Sequence, residues 1–116
     1  MISMEIDYEK LAIELGFSYL NGGQGKWENS GGKQFSYDAM DSTYIENCIH
    51  YIDKGIEKLN NNDCDIYRDI KRLLEKKEKQ VLQSNIIEAM RQIAVILERK
   101  KEELNRYYDR RRKAIK

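Results

Sequence analysis

The sequence predicts a mainly α fold: a helical bundle or hairpin with a long C-terminal helix and a small N-terminal β-hairpin. Three observations carry that expectation. The 116 residues include no proline, a residue that costs about 3 kcal/mol in a helix interior, so helices are free to run. Charged residues make up 35% of the chain, above the roughly 25% of an average globular domain, and most are the Lys, Glu and Arg of exposed helix faces. From Cys64 to Lys113 there is neither glycine nor proline, and apolar residues recur there at helical spacing. With 41% apolar residues the chain can build one core, so residues 1–116 are expected to form a single domain. Residues 1–62 supply a short helix, a β-element and an amphipathic helix, and residues 63–116 a long, basic helical part.

Asp7 to Leu15 reads as a short helix with Tyr8, Leu11, Ala12 and Leu15 on one face and Gly16 as its stop. Six of the seven glycines follow between Gly16 and Gly32. The alternation around Trp27 and through Phe35 and Tyr37, with the Ser30-Gly31-Gly32 turn signal between, predicts a hairpin of Lys26–Asn29 with Lys33–Tyr37. Phe17–Leu20 is the candidate third strand. Asp41 or Ser42 then caps a helix running to about Leu59, because Ile45, Cys48, Ile49, Ile52, Ile56 and Leu59 form one apolar stripe. Asn60-Asn61-Asn62-Asp63 ends it, since short amides and carboxylates compete with the helical backbone.

Beyond Cys64, the stripe Ile66, Ile70, Leu74, Leu82, Ile86, Met90, Ile93, Leu97, Leu104, Tyr108 is interrupted by the charge of Glu78. It fits either one helix of about 50 residues, about 75 Å long, or a hairpin. The hairpin is favoured, broken at Gln83-Ser84-Asn85, where Asn85 and Glu88 have capping-box spacing. Ile86 to Leu97 is apolar on more than one face and must be covered on two sides. That predicts a homodimer, paired coiled-coil fashion through the Cys64–Tyr108 region.

Charge is distributed unevenly. Residues 1–60 carry five lysines against ten carboxylates, a formal −5, while residues 61–116 carry sixteen basic groups against ten, a formal +6. The two halves are expected to pack on each other, on a second copy or on a partner. No run approaches the 18–20 apolar residues of a membrane span. Met1–Asp7 lacks the basic start and apolar run of a signal peptide, so a cytoplasmic protein is expected. Cys48 and Cys64 have no CxxC spacing, and with a single histidine they complete no familiar zinc pattern, so reduced thiols and no metal are expected.

No enzyme is expected. His50, the one imidazole, falls on the polar side of the Ser42–Leu59 helix with no nucleophile assigned to it by spacing. Gly22-Gly23-Gln24-Gly25-Lys26 lacks the spacing of a phosphate loop, no helix start follows its lysine, and it reads as a flexible loop with no cofactor. Carboxylates such as Glu75 and Glu98 have basic residues three or four positions away, the pattern of solvated helix pairs. The sharpest local feature is the C-terminal run Arg106, Tyr107, Tyr108, Arg110, Arg111, Arg112 and Lys113. Guanidinium groups pair with phosphates or carboxylates and tyrosines stack on bases, so this run is the candidate binding site for protein or nucleic acid.

The segment Trp27-Glu28-Asn29-Ser30-Gly31-Gly32, Phe35, Tyr37, Met40-Asp41, Tyr44-Ile45-Glu46-Asn47-Cys48-Ile49, Tyr51-Ile52 resembles a pattern of small uncharacterised accessory proteins of Gram-positive phages and prophages. It departs at Ala39, where an acidic residue commonly precedes the Met, and at Tyr44, where His is commoner. The resemblance implies a non-catalytic interaction protein in the host cytoplasm, an inhibitor docking on a host defence protein. A nucleic-acid-binding accessory protein using the basic helix end, or a protein sequestering a nucleotide messenger, are the alternatives. On the residues alone, Trp27, Phe35, Tyr37 and Met40 form an apolar lid on the Ser42–Leu59 helix and Asp41 caps it.

Overall fold

The computed structural model describes residues 6–77 and 80–114, the side chains of residues 112–114 excepted; Glu78, expected to interrupt the apolar stripe, lies outside the described residues. Helix α1 (Tyr8–Glu14) starts because the Asp7 carboxylate accepts the Lys10 N–H at 3.1 Å. It stops at Gly16, whose φ of +114° turns the chain back. The third strand expected over Phe17–Leu20 does not form. Phe17 N–H returns to the Ala12 carbonyl at 3.1 Å and Leu20 N–H to the Phe17 carbonyl at 3.2 Å. Those local bonds use the groups a strand would offer its neighbour, and Ser18–Gly22 becomes a 3₁₀ turn.

The hairpin is shorter than predicted. Strands β1 (Lys26–Glu28) and β2 (Gln34–Ser36) pair antiparallel with Trp27 opposite Phe35. The Asn29 side chain organises the loop by accepting N–H groups from Gly31 and Lys33 at 3.0 and 2.9 Å. Trp27 is buried and stacks on Tyr19 with ring centroids 4.5 Å apart, whereas Phe35 is half-exposed against Tyr44. Of the expected lid, therefore, Trp27, Tyr37 and Met40 are buried in the core and Phe35 stays at its edge.

Helix α2 (Ser42–Asn60) is capped by Asp41, which accepts the Tyr44 N–H at 2.8 Å. Its stripe buries Ile45, Cys48, Ile52, Ile56 and Leu59, with Ile49 half-buried at the margin. Asn62, at φ +52°, reverses the chain. Asp63 caps α3 (Cys64–Lys77) by accepting the Asp65 and Ile66 N–H groups at 3.0 and 3.1 Å. Helix α4 (Gln83–Ala114) follows, 32 residues and so about 48 Å long.

The helical hairpin is present, but its break falls ahead of the predicted place. Asn85 lies one turn inside α4, and its side chain reaches back to accept the Leu82 N–H at 3.1 Å. That is the return half of a capping box, with Leu82 in the capping position. Glu88 is occupied instead by Gln92 at 2.8 Å and by Arg91. Leu82 consequently precedes the helix and is exposed instead of continuing the stripe.

Helix α4 is the spine against which α1, α2 and α3 pack, α2 most extensively. Ile86, Met90, Ile93, Leu97 and Leu104 are buried in that seam with Ile70 and Leu74 of α3. No helix among the described residues is long and apolar enough to cross a membrane. Ile52, fully buried on α2, gives the simplest check of the packing. Ile52→Ala is expected to lower the unfolding free energy by about 2–4 kcal/mol in denaturant melts, through lost burial and a residual cavity.

Candidate functional site

Two polar constellations lie along the second half of α4. The first is internal. Lys100 and Glu103, one turn apart, face the glycine-rich segment between the 3₁₀ turn and β1. The Lys100 ammonium donates to the Gly23 carbonyl at 2.9 Å and the Lys26 carbonyl at 2.5 Å, and stands 3.9 Å from Glu103. Glu103 Oε1 accepts the Gly25 N–H at 2.7 Å and the Tyr37 hydroxyl at 2.5 Å. The expected flexible loop is thus held at both carbonyls and at an amide. Gly23 and Gly25, at φ +73° and +78°, take the left-handed conformations that present those groups to the helix.

Lys100 is only 6% exposed. Burial lowers its pKa, opposed by the charges of Glu103, Cys48 and Glu9. The Lys100 ammonium also lies 5.3 Å from the centre of the Tyr37 ring. Burial, followed by the hydrogen bond to Glu103, raises the pKa of Tyr37. Burial pushes the Cys48 thiol up to about 12, against the pull of Lys100. A thiol so far from ionisation is a packing group rather than a nucleophile.

The second constellation is the C-terminal end of α4, the predicted binding run. Much of it is engaged within the chain. Tyr107 donates its hydroxyl to Asp38 and packs edge-on against Tyr37 at 5.7 Å. Tyr108 donates to Glu46 of α2, and Arg111 donates to the Met40 carbonyl. Arg106 pairs with Glu102 at 3.3 Å along the helix, and Arg110 donates Nε to the Arg106 carbonyl at 3.4 Å. Both of these arginines are exposed. Arg112 and Lys113 are helical in backbone, and their side chains lie outside those described.

The run is therefore in part an intramolecular clasp. It closes over Tyr37–Ala39, a second 3₁₀ turn, and over the start of α2. Away from this clasp the basic half of the chain also meets the acidic half, at Lys101–Asp53 (2.7 Å) between α4 and α2 and at Lys77–Glu14 (3.8 Å) between α3 and α1. What remains outward is a mixed surface: Arg106, Arg110 and Asp109 on α4, Tyr44 on the first turn of α2, and Phe35 with Lys33 set 5.3 Å over its ring. His50 is exposed on α2.

Sequence reasoning missed Lys100 and Glu103 as a pair. The signal was present, because Lys100 falls three residues after Leu97 and four before Leu104, inside the apolar stripe. A charged residue in a stripe needs a buried partner.

The buried thiol and phenols give a pH dependence with a definite sign. A group whose folded pKa lies above its unfolded value holds its proton longer when folded, so stability falls as pH rises between the two. For Cys48 the window runs from 9.0 to about 12. The Tyr37 contribution to this loss begins at 10.0. Lys100, with its lowered pKa, works in the opposite direction on approach to 10.5. Comparing Cys48→Ala with the parent isolates the thiol: thermal melts should show a smaller loss between pH 9 and 10 in the variant, whatever its offset at pH 7.

No protein-family model matches the chain, and neither a curated protein nor a solved structure is significantly similar to it.

Proposed function

We propose that this protein is a non-catalytic interaction module that docks on another protein through the surface where the end of α4 meets the β-hairpin and the start of α2. The observation that carries the reading is the composition of that surface. Arg106, Arg110, Tyr44 and Phe35 stand outward on a base fixed by Tyr107–Asp38 and Tyr108–Glu46. Arginine and tyrosine on a pre-ordered base are the residues that carry binding energy in protein interfaces. The likeness of Trp27–Ile52 to phage accessory proteins supplies the class of partner, a host protein that the module inhibits.

A protein partner is favoured over nucleic acid because the basic run is already partly neutralised. Arg106 faces Glu102, Arg111 is bonded to a carbonyl, and Asp38, Glu46 and Asp109 lie in the same region. Duplex DNA binding is therefore expected to be negligible near 150 mM salt, with a log–log salt slope shallower than roughly −2. A slope near −3.6, the value for about four neutralised phosphates, with sub-micromolar affinity would reverse the preference. In nuclease-treated bacterial lysate, the partner retained by the parent protein should be lost by the double variant Arg110→Ala, Tyr44→Ala. The melting temperature of that variant should not change.

Self-association belongs to the same reading. Ile87 and Val95 point outward from α4 at 46% and 40% exposure. Antiparallel pairing of two copies about a point between Val95 and Glu98 sets Arg91 of each against Glu102 of the other. Light scattering after gel filtration should give twice the 13.8 kDa chain mass, falling to one chain mass in Val95→Lys. A parent protein that runs at one chain mass at micromolar concentration would remove the dimer.

A further inference from the structure

Further along α2, away from the C-terminal clasp, a cleft of about 300 Å³ opens between that helix and the turn ending α1. Gly16 and the Phe17-to-Ala12 backbone bond deliver the Phe17 ring against Gly55 in the middle of α2. A Cβ at Gly55 would stand 3.0 Å from Phe17 and 3.3 Å from Leu97, so the helix is left bare where the ring approaches. Phe17 and the exposed ring of Tyr51 wall the cleft, and Lys54 and Lys58 stand on its rim. They are the charged groups of the lining. They lie one turn apart, and neither takes part in an ion pair among the described residues.

Behind Gly55 lies the Tyr19 hydroxyl, 3.6 Å from where that Cβ would stand. Tyr19 is 2% exposed, and its hydroxyl has no hydrogen-bond partner among the described residues. Its ring stacks on Trp27 and meets Phe17 and Tyr51 edge-on at 6.0 and 5.8 Å. Phenylalanine would pack those contacts equally well without burying an unpaired donor, so the hydroxyl is unexplained by the fold.

We propose that this cleft binds a nucleoside monophosphate, its base against Phe17 and Tyr51 and its phosphate on Lys54 and Lys58. The volume lies at the low end for small-molecule sites, which suits one nucleotide. Two ammonium groups match the charge of a phosphate monoester, near −2 at neutral pH, better than that of a carboxylate. Aromatic walls take any base by stacking. The site is separate from the docking surface, and its existence does not depend on the protein-partner reading.

Titration of the isotope-labelled full chain with AMP, adenosine and inorganic phosphate, followed by amide NMR, tests the assignment. AMP should give saturable shifts concentrated at Phe17, Tyr51 and Gly55 with a sub-millimolar Kd, and adenosine and phosphate should each bind at least about tenfold more weakly. The double variant Lys54→Ala, Lys58→Ala should weaken AMP about tenfold or more while leaving adenosine unchanged. Tyr19→Phe should melt at the same temperature or higher, since it removes a buried donor without a partner among the described residues. Absence of saturation at about 5 mM AMP, shifts scattered over other helices, or undiminished AMP affinity in the lysine variant would overturn the site.

Discussion

The architecture depends on one buried cation. Lys100 sits in the seam of α4 where an aliphatic residue would satisfy the helical pattern, and its ammonium is taken out of water. Such a group is tolerated only when its three donors are met. Two are met by the Gly23 and Lys26 carbonyls, and the remaining charge faces Glu103 and the Tyr37 ring. A segment with this much glycine has high chain entropy and few side chains to pack. The ammonium and the carboxylate supply the anchoring that the loop cannot provide for itself. Because β1 begins at Lys26, fixing the loop also fixes where Trp27 enters the core. The hairpin, too short to be stable alone, inherits its position from α4.

Contacts between the two halves of the chain show how the uneven charge distribution is accommodated. An acidic first half and a basic second half do not require a foreign partner when the chain folds back on itself. Asp53, Glu14, Asp38 and Glu46 each meet a group from residues 77–108. Most of these contacts are exposed and individually weak. Their combined effect is registry: they decide which turn of α4 lies over which turn of α2, while burial of Ile45, Ile52, Ile93 and Leu97 supplies the bulk of the stability. This division lets the C-terminal end carry exposed arginines on a rigid base instead of on a frayed helix terminus.

Periodic elements were legible in the sequence, and polar long-range ones were not. The α2 stripe and its Asp41 cap could be placed because their determinants are local: residues three and four apart, and a carboxylate beside its own helix start. The helical hairpin was legible as a break, but Asn85 admits two roles in a capping box, and only the path of the preceding residues decides between them. Phe17–Leu20 alternates like a strand and folds as a 3₁₀ turn, because Gly16 sends the chain back and uses its amides locally. The basic run is the sharpest local feature of the sequence, yet its surroundings could not be read from it. Its internal bonds to Asp38, Met40 and Glu46 span more than sixty positions, and no spacing rule reaches so far.

The two places where this chain departs from simple packing logic differ in how the departure is resolved. Lys100 is a buried charge whose ammonium has two carbonyl acceptors and faces a carboxylate within the fold. The Tyr19 hydroxyl is a buried donor with none among the described residues, set behind a helix glycine and beside a cleft whose charges are two lysines. Core positions specify volume and shape, and phenylalanine meets both demands at residue 19. The Phe17 edge seals that donor from the cleft, which itself presents an aromatic wall and two lysines without an ion pair among the described residues. Those rings and lysines, rather than the internally bonded basic terminus, are why a small anionic ligand is placed in the cleft.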